Sequence, residues 1–254
     1  MRVLEALVFT FFLFLSSEVA AEPTTHQILT RADEARGNLE GVTWEVTILS
    51  LEDDHEKDMT FDVQAKGFDL LAKALSPAKQ KGNKLLMASG NMWFYKPGLS
   101  KPAPISQRQR LLGNAAYGDI ASTNYAEDYV ATVLSDGNDT SDTNTIINGE
   151  VCYVYDLKAR TKKATYDRIK YWVSKERLVG LKAEYFTVSN KKFKSAIMEY
   201  ENEVKADGKP RPFISKVTIY DELMSENVTT LTFSEPAIKR IPRRIFNLNL
   251  LTRQ

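Results

Sequence analysis

The chain has 254 residues, 43% hydrophobic and 26% charged, with 12 glycines and 9 prolines, which excludes disordered, collagen-like and low-complexity chains. Its formal net charge of +1 leaves no whole-molecule field to draw it to nucleic acid or to an anionic membrane. The single Cys152 excludes an internal disulfide and a cysteine-based zinc site, and His26 and His55 alone leave almost nothing for a histidine-rich metal site or a nucleophile–histidine pair.

Residues 1–21 read as a secretory signal peptide. Arg2 supplies the positive start, weakened by Glu5; residues 6–15 are almost wholly apolar; Val19, Ala20 and Ala21 give the small-residue cleavage pattern. The apolar run falls short of the roughly 20 residues a helix needs to cross a bilayer core of ~30 Å. An uncleaved N-terminal anchor is the competing reading. No cysteine stands at the cleavage point for lipid attachment. Export without disulfides suits a bacterial periplasm, so residues 22–254 are expected there as one domain with no internal repeat or linker.

Thr24 and Gln27 have capping-box spacing, and Ile28, Leu29, Ala32 and Ala35 recur at helical spacing up to Gly37, which predicts a helix over 25–36. The period then changes to two. Val42, Trp44, Val46 and Ile48 alternate with polar residues, as do Met59, Phe61, Val63 and Ala65, so each of these strands has one buried and one wet face. The acidic stretch 52–58 joins them as a hairpin turn. The pattern over 68–75 leaves helix and strand open. Residues 85–88 and the run Met92, Trp93, Phe94, Tyr95 read as strands around a turn at Ser89, Gly90 and Asn91. Pro97, Pro102 and Pro104 hold the next stretch extended. Residues 106–123 show little alternation and are broken by Gly113 and Gly118, which predicts short helices or a folded loop. Strands resume over 129–134, 151–157, 168–173, 179–188, 194–200, 213–220 and 228–233, with polar turn clusters at 136–144 and 207–209. This is a mainly β protein: a large antiparallel sheet, curled or closed, with few helices.

The polar candidates carry little. Asp53, Asp54, Glu56 and Asp58, with His55, sit in a turn where charge is ordinarily solvated. Asp136, Asn138, Thr140 and Asp142 mimic the start of a calcium loop, but Ser141 and Ile147 stand where its central glycine and terminal glutamate belong. Asn138 and Asn227 head glycosylation sequons, which have meaning only in a compartment that uses them. Cys152 lies in an alternating strand, where a lone cysteine is a small packed residue. No spacing selects a pair of carboxylates for catalysis, so no catalytic residue, metal or cofactor is expected. Lys239, Arg240, Arg243 and Arg244 form a basic C-terminal patch, either solvated or turned to lipid headgroups or an acidic partner. The larger signal is apolar and aromatic, and such an inventory fills a core or lines a pocket.

The blocks Asn91-Met92-Trp93-Phe94-Tyr95-Lys96-Pro97, Pro104-Ile105-Ser106-Gln107-Arg108-Gln109-Arg110-Leu111-Leu112-Gly113 and Tyr117-Gly118-Asp119-Ile120-Ala121 resemble the outer-membrane lipoprotein-sorting protein family. That family is a branch of the LolA/LolB-like superfamily. The resemblance continues through Ile169-Lys170-Tyr171-Trp172-Val173 and Thr229-Thr230-Leu231-Thr232-Phe233 and spans essentially all of residues 22–254. Val179-Gly180 and Lys209-Pro210-Arg211-Pro212 depart from the family pattern at hairpins.

The resemblance implies a strongly curved antiparallel sheet, an unclosed barrel of about eleven strands lidded by a few helices. It makes 68–75 a strand. It also implies a periplasmic carrier that binds lipoprotein acyl chains or another lipid in a hydrophobic cavity and moves it between membranes, with an inner-membrane transporter complex as loading partner and no nucleic acid. At ~0.8 kcal/mol per CH₂, a sixteen-carbon chain resists leaving a membrane by roughly 12 kcal/mol, so a carrier needs an apolar lining under a movable lid. Trp44, Val46, Trp93 and Tyr95 are the expected cavity lining. Residues 97–123 are the expected lid, with Leu111, Leu112 and Ile120 covering the cavity when it is empty. Two other readings stand beside the carrier: a docking or assembly factor for an envelope transporter with a sealed core, and an enzyme acting on lipids, for which no nucleophile–base arrangement is visible.

Overall fold

The computed structural model describes residues 22–52, 54–121, 124–138, 145–224 and 226–253. The expected signal peptide, residues 1–21, lies outside the described residues, as do Asp53 of the acidic turn, Thr123 at the end of the expected lid, and Asp139, Thr140, Ser141 and Asp142 of the calcium-like and sequon stretch.

Helix α1 (Thr25–Glu34) begins where the capping box predicts. The Gln27 N–H donates to Thr24 Oγ1 at 3.3 Å, and the Thr24 N–H donates to Gln27 Oε1 at 2.8 Å. The helix ends at Glu34 rather than at 36, and the chain turns at Gly37. The φ there is +116°, and a Cβ would stand 2.9 Å from Trp44 Cη2, so only glycine lets this turn lie flat on the indole.

An antiparallel meander follows: β1 (Val42–Glu52), β2 (His55–Lys66), β3 (Asp69–Ser76), β4 (Lys84–Ala88), β5 (Asn91–Tyr95) and β6 (Ala103–Ile105). A small hairpin, β7 (Arg110–Leu112) and β8 (Ala115–Ala116), leads into two short helices, α2 (Tyr117–Ile120) and α3 (Tyr125–Asp128). The second half comprises β9 (Tyr129–Ser135), β10 (Ile146–Ile147), β11 (Glu150–Ala159), β12 (Arg168–Ser174), β13 (Gly180–Phe186), β14 (Lys192–Glu199), β15 (Asn202–Ala206), β16 (Lys209–Phe213), β17 (Lys216–Asp221) and β18 (Val228–Ile238).

Among the described residues these strands build one antiparallel sheet of 14 strands, in the order β10-β11-β12-β13-β14-β17-β18-β1-β2-β3-β4-β5-β6, with β9 also paired to β11. The two halves join where β18 lies against β1, with Phe233 opposite Val46. The order ends on β10 and β6, so the sheet is not closed into a barrel. Two hairpins, β7–β8 and β15–β16, stand apart from it.

Inward residues of both halves, among them Val46 of β1, Leu85 of β4, Leu157 of β11, Tyr171 of β12 and Ile219 of β17, belong to one buried cluster. The sheet therefore bends round a single core, and α1 covers its concave side with Ile28, Leu29 and Ala32. Each fully buried Leu or Ile contributes about 1.5–3 kcal/mol. The outer face of β3–β5 is covered too. There a C-terminal strap, with 3-10 turns at Arg243–Phe246 and Leu248–Leu250, buries Ile241, Phe246 and Leu251 against Leu71, Leu86 and Tyr95. Lys84 Nζ donates to the Leu251 carbonyl at 3.0 Å.

Residues 68–75 fall in a strand, as the family resemblance implies. Of the stretch 106–123, expected as short helices or a loop, the described residues 106–121 hold a strand hairpin followed by a one-turn helix. The sheet has more strands than the about eleven that the resemblance implies, and short pieces such as β6 and β10 are among them. The turn at 207–209 lies in hairpin β15–β16, whose two strands are absent from the expected set although Pro210 and Pro212 are placed at a hairpin. The two prolines pair with Lys205 and Glu203 in a two-stranded ribbon, whose free edge tolerates a missing N–H. The outermost strands also differ from each other. β6 has Pro104 at its centre, whereas β9 contains neither proline nor charge and leaves Val130, Val133 and Leu134 about half exposed.

Candidate functional site

The β7–β8 hairpin lies across one end of the concave side. Its turn is at Gly113, where φ is +56° and a Cβ would stand 2.2 Å from Ser50 Oγ and 2.3 Å from Thr229 Oγ1. Glycine is what lets the turn seat directly on β1 and β18. The Asn114 N–H donates to Thr229 Oγ1 at 2.8 Å, and Asn114 Nδ2 donates to the Asn227 carbonyl at 3.1 Å. On the other flank, Arg108 Nε donates to the Ala164 carbonyl at 2.7 Å and Nη1 pairs with Asp167 at 2.8 Å. Arg110 pairs with Glu52 at the tip of β1. The segment from 106 to 121 is thus fastened at both sides of the sheet by polar bonds, while Leu111 and Leu112 pack against the main core.

A buried polar group holds α2. Lys194, on β14, places Nζ 3.1 Å from Asp119 Oδ2 and 2.8 Å from the Asn114 carbonyl, and also donates to the Tyr166 hydroxyl. That hydroxyl donates to Asp119, 2.7 and 2.8 Å from its two oxygens, and Oδ2 accepts the Ala116 N–H at 2.8 Å. Burial lowers the Lys194 ammonium from its usual range, opposed by the attraction of Asp119.

Between the hairpin and the sheet lies an unfilled hollow of about 180 Å³. Met59, Phe61, Leu85, Phe94, Leu111 and Tyr117 line it, with Ala74 at its wall and Gln80, Asn83 and Lys84 on its polar side. It adjoins a more open groove of about 370 Å³, which shares Met59, Gln80 and Leu111 with it and adds Leu112, Pro77, Lys57 and Lys79. Ligand pockets span about 300–1,000 Å³, so the hollow alone is below that range and the groove that continues it is within it.

Elsewhere the concave side is packed by the protein's own side chains. Tyr125 of α3 meets Tyr129 and Tyr171 edge to face at 5.3 and 5.0 Å between ring centroids. Asp33 of α1 accepts the Ala126 N–H at 2.9 Å, which ties the two helices together. Burial raises the Asp33 carboxyl to about 7, against the pull of Arg36, whose guanidinium lies 4.6 Å over the Tyr125 ring.

The sequence-predicted residues separate into three places. Leu111 and Leu112 border the hollow and its groove, and Ile120 is buried in the main core. Trp44 and Val46 do face the concave side but are sealed within the core, with Trp44 against Phe213 at 5.7 Å. Trp93 and Tyr95 do not share that face: they point outward, beneath the strap, with Phe246 and Leu251. Alternation along β5 puts Met92 into the core and Phe94 into the hollow instead. Sequence reasoning missed Met59, Phe61, Leu85, Phe94 and Tyr117 as lining. The signal for the first two was present in the alternation of β2. Cys152 is fully buried, and burial pushes its thiol up to about 11, as fits a packed and unreactive residue. Among the described residues no group of three or more His, Cys, Asp or Glu side chains could hold a metal, and no helix is long and apolar enough to cross a membrane.

A family model described as "-like: Uncharacterized protein" matches residues 69–253. No curated protein matches the sequence. Among solved structures, a LolA superfamily protein from Nitrosomonas europaea is 30% identical over 89% of this chain and 99% of its own, with a TM-score of 0.76. A domain named for outer membrane lipoprotein sorting, from Vibrio parahaemolyticus, is 16% identical over 89% of this chain and 97% of its own, with a TM-score of 0.73. A DUF1329 family protein from Desulfovibrio piger is 18% identical over 89% and 97%, with a TM-score of 0.70. At their identities the latter two share the fold alone.

Proposed function

The chain belongs to the LolA superfamily, and on that footing we propose that it is a periplasmic carrier that takes up acyl chains, of a lipoprotein or another lipid, beneath the β7–β8 hairpin. Residues 1–21 address the chain to that compartment in this reading, and a membrane complex loads it. The observation that carries the proposal is the hollow under Leu111, walled on one side by Met59, Phe61, Leu85 and Phe94 and continued by the open groove at Leu112. Each CH₂ transferred into such a lining recovers ~0.8 kcal/mol that water would otherwise cost. The closed hollow has no room for a whole chain, so the hairpin must lift. Several of its fastenings suit that movement, because the bonds from Asn114, Arg108 and Arg110 can be exchanged for bonds to water, and lifting uncovers Met59, Phe61 and Phe94 among the lining.

A second reading has its own support. Much of the concave side is already filled by Tyr125, Tyr129 and Tyr171, as a docking or assembly factor with a sealed core would require. Solvent extraction of protein purified without detergent, followed by mass spectrometry, and titration with a fluorescent fatty acid distinguish the two. Bound lipid, or saturable uptake displaced by unlabelled palmitate, is expected. A lipid-free protein that takes up none would leave the docking reading, and turnover of a lipid ester would favour an enzyme.

A further inference from the structure

From Pro236 to Gln254 the sequence contains Lys239, Arg240, Arg243, Arg244 and Arg253 and no aspartate or glutamate. The fold decides which way these cations point. Ile241, Phe246 and Leu251 are buried against the outer face of β3–β5, so the strap is anchored by its apolar side, and all five cations are exposed. Some cations elsewhere on the surface are paired, as Arg31 is with Glu34, Arg168 with Asp156 and Lys192 with Glu222. Among the described residues no ion pair joins any of the five to a carboxylate.

The sheet beneath the strap carries two more cations, Lys73 and Lys84, with Asp62 of β2 opposite Lys73. Lys73 is exposed on β3, and Lys84, beside it on β4, is lowered from the usual lysine range by burial and by the like charge of Lys73. With the five strap cations set aside, acids outnumber bases in the rest of the chain. The near-neutral total therefore conceals a local concentration of positive charge on the strap, and such a concentration orients a protein toward an anionic plane.

We propose that the C-terminal strap is a docking surface for anionic phospholipid bilayers. Recognition of a lipid surface requires charge density rather than a shaped recess. The strap supplies the first, and none of the cavities described above is lined by it. Its place in the fold adds a consequence. Lys84 bonds the strap at Leu251 and also reaches the hollow, but strap and hollow lie on opposite faces of β3–β5, so docking by the strap leaves the hairpin free to lift on the far side. That consequence rests on the carrier reading, whereas the docking itself does not.

The test is cosedimentation of the purified protein with vesicles of phosphatidylcholine alone and of equimolar phosphatidylcholine and phosphatidylglycerol, at low and high salt, with fatty-acid uptake measured in parallel. Binding to the anionic vesicles alone is expected, and high salt should abolish it. The variants R243E/R244E and K239E/R240E should each bind at least about tenfold more weakly. R243K/R244K should bind as the parent does, and all three should keep the parent's circular dichroism and fatty-acid uptake. Equal binding to both vesicle types, no binding to either, or undiminished binding by both charge-reversed variants overturns the proposal. Loss of uptake with docking intact would instead remove the carrier reading and leave this one standing.

Discussion

Lys194 Nζ on β14 lies 3.1 Å from Asp119 Oδ2 on α2, with both side chains nearly buried. Removing one member of such a pair strands the other charge away from water, at a cost of about 3–5 kcal/mol, whereas removing both costs much less. Asp119→Ala is therefore expected to lower stability by about that amount in urea denaturation, and Lys194→Met in the same chain should restore most of it. Because the pair fastens α2, the single variant should also take up a fluorescent fatty acid faster than the parent.

Gly113→Ala combines a left-handed backbone with a collision against Ser50 and Thr229. Gly90→Ala offers a control, since its φ is also positive, +71°, but a Cβ there meets nothing within 4 Å. The control should lose about 1 kcal/mol from backbone strain alone. The Gly113 variant should lose about 1–3 kcal/mol more, because the turn must leave its seat and the Asn114–Thr229 bond with it. Equal losses would show that the seat contributes nothing.

Asp33 makes stability depend on pH in an uncommon direction for a carboxylate. Burial raises its folded-state value to about 7, above the ordinary 3.8, so between those two the folded protein holds a proton that the unfolded chain has released. The stabilisation is fully present at acid pH and is lost as pH rises through about 7, by an amount on the order of a few kcal/mol. The melting temperature should accordingly fall between pH 5 and pH 8, a window chosen around the Asp33 value of about 7. Asp33→Asn, which keeps an oxygen for the Ala126 N–H, should flatten that slope. A slope unchanged in the variant would mean that other groups set it.

Ala74 stands at the wall of the hollow and is itself buried. Ala74→Leu should fill the space at less than the ~1–3 kcal/mol of overpacking a solid core, and should weaken fatty-acid uptake by about tenfold or more. Unchanged uptake at unchanged stability would move the ligand away from this hollow.

Most of the sheet is legible in the sequence because a strand with one face in the core and one in water must alternate. Val42 to Ile48 and Met59 to Ala65 do so visibly, and their inward residues are the ones buried. β5 defeats that logic. Met92 and Phe94 face the interior while Trp93 and Tyr95 are covered from outside by residues from the far C-terminus, so all four are apolar and nothing local marks the inner pair. The hollow is illegible for another reason. Its lining comes from β2, β3, β4, β5, β7 and α2, which meet only once the hairpin is seated. Leu111 and Leu112 could be singled out because they are apolar residues in a glycine-punctuated segment of little alternation, where core packing by a regular strand was not the obvious use for them.

The unlike rims of the sheet bear on how copies of the protein could stick together. The last strand on one rim has a proline where a neighbour would seek an N–H, while β9 on the other offers an uncharged backbone between apolar side chains. An intermolecular ladder can therefore grow from one rim only. Two molecules joined through β9 would have used the open rims of their main sheets, so self-association by this route halts at a pair.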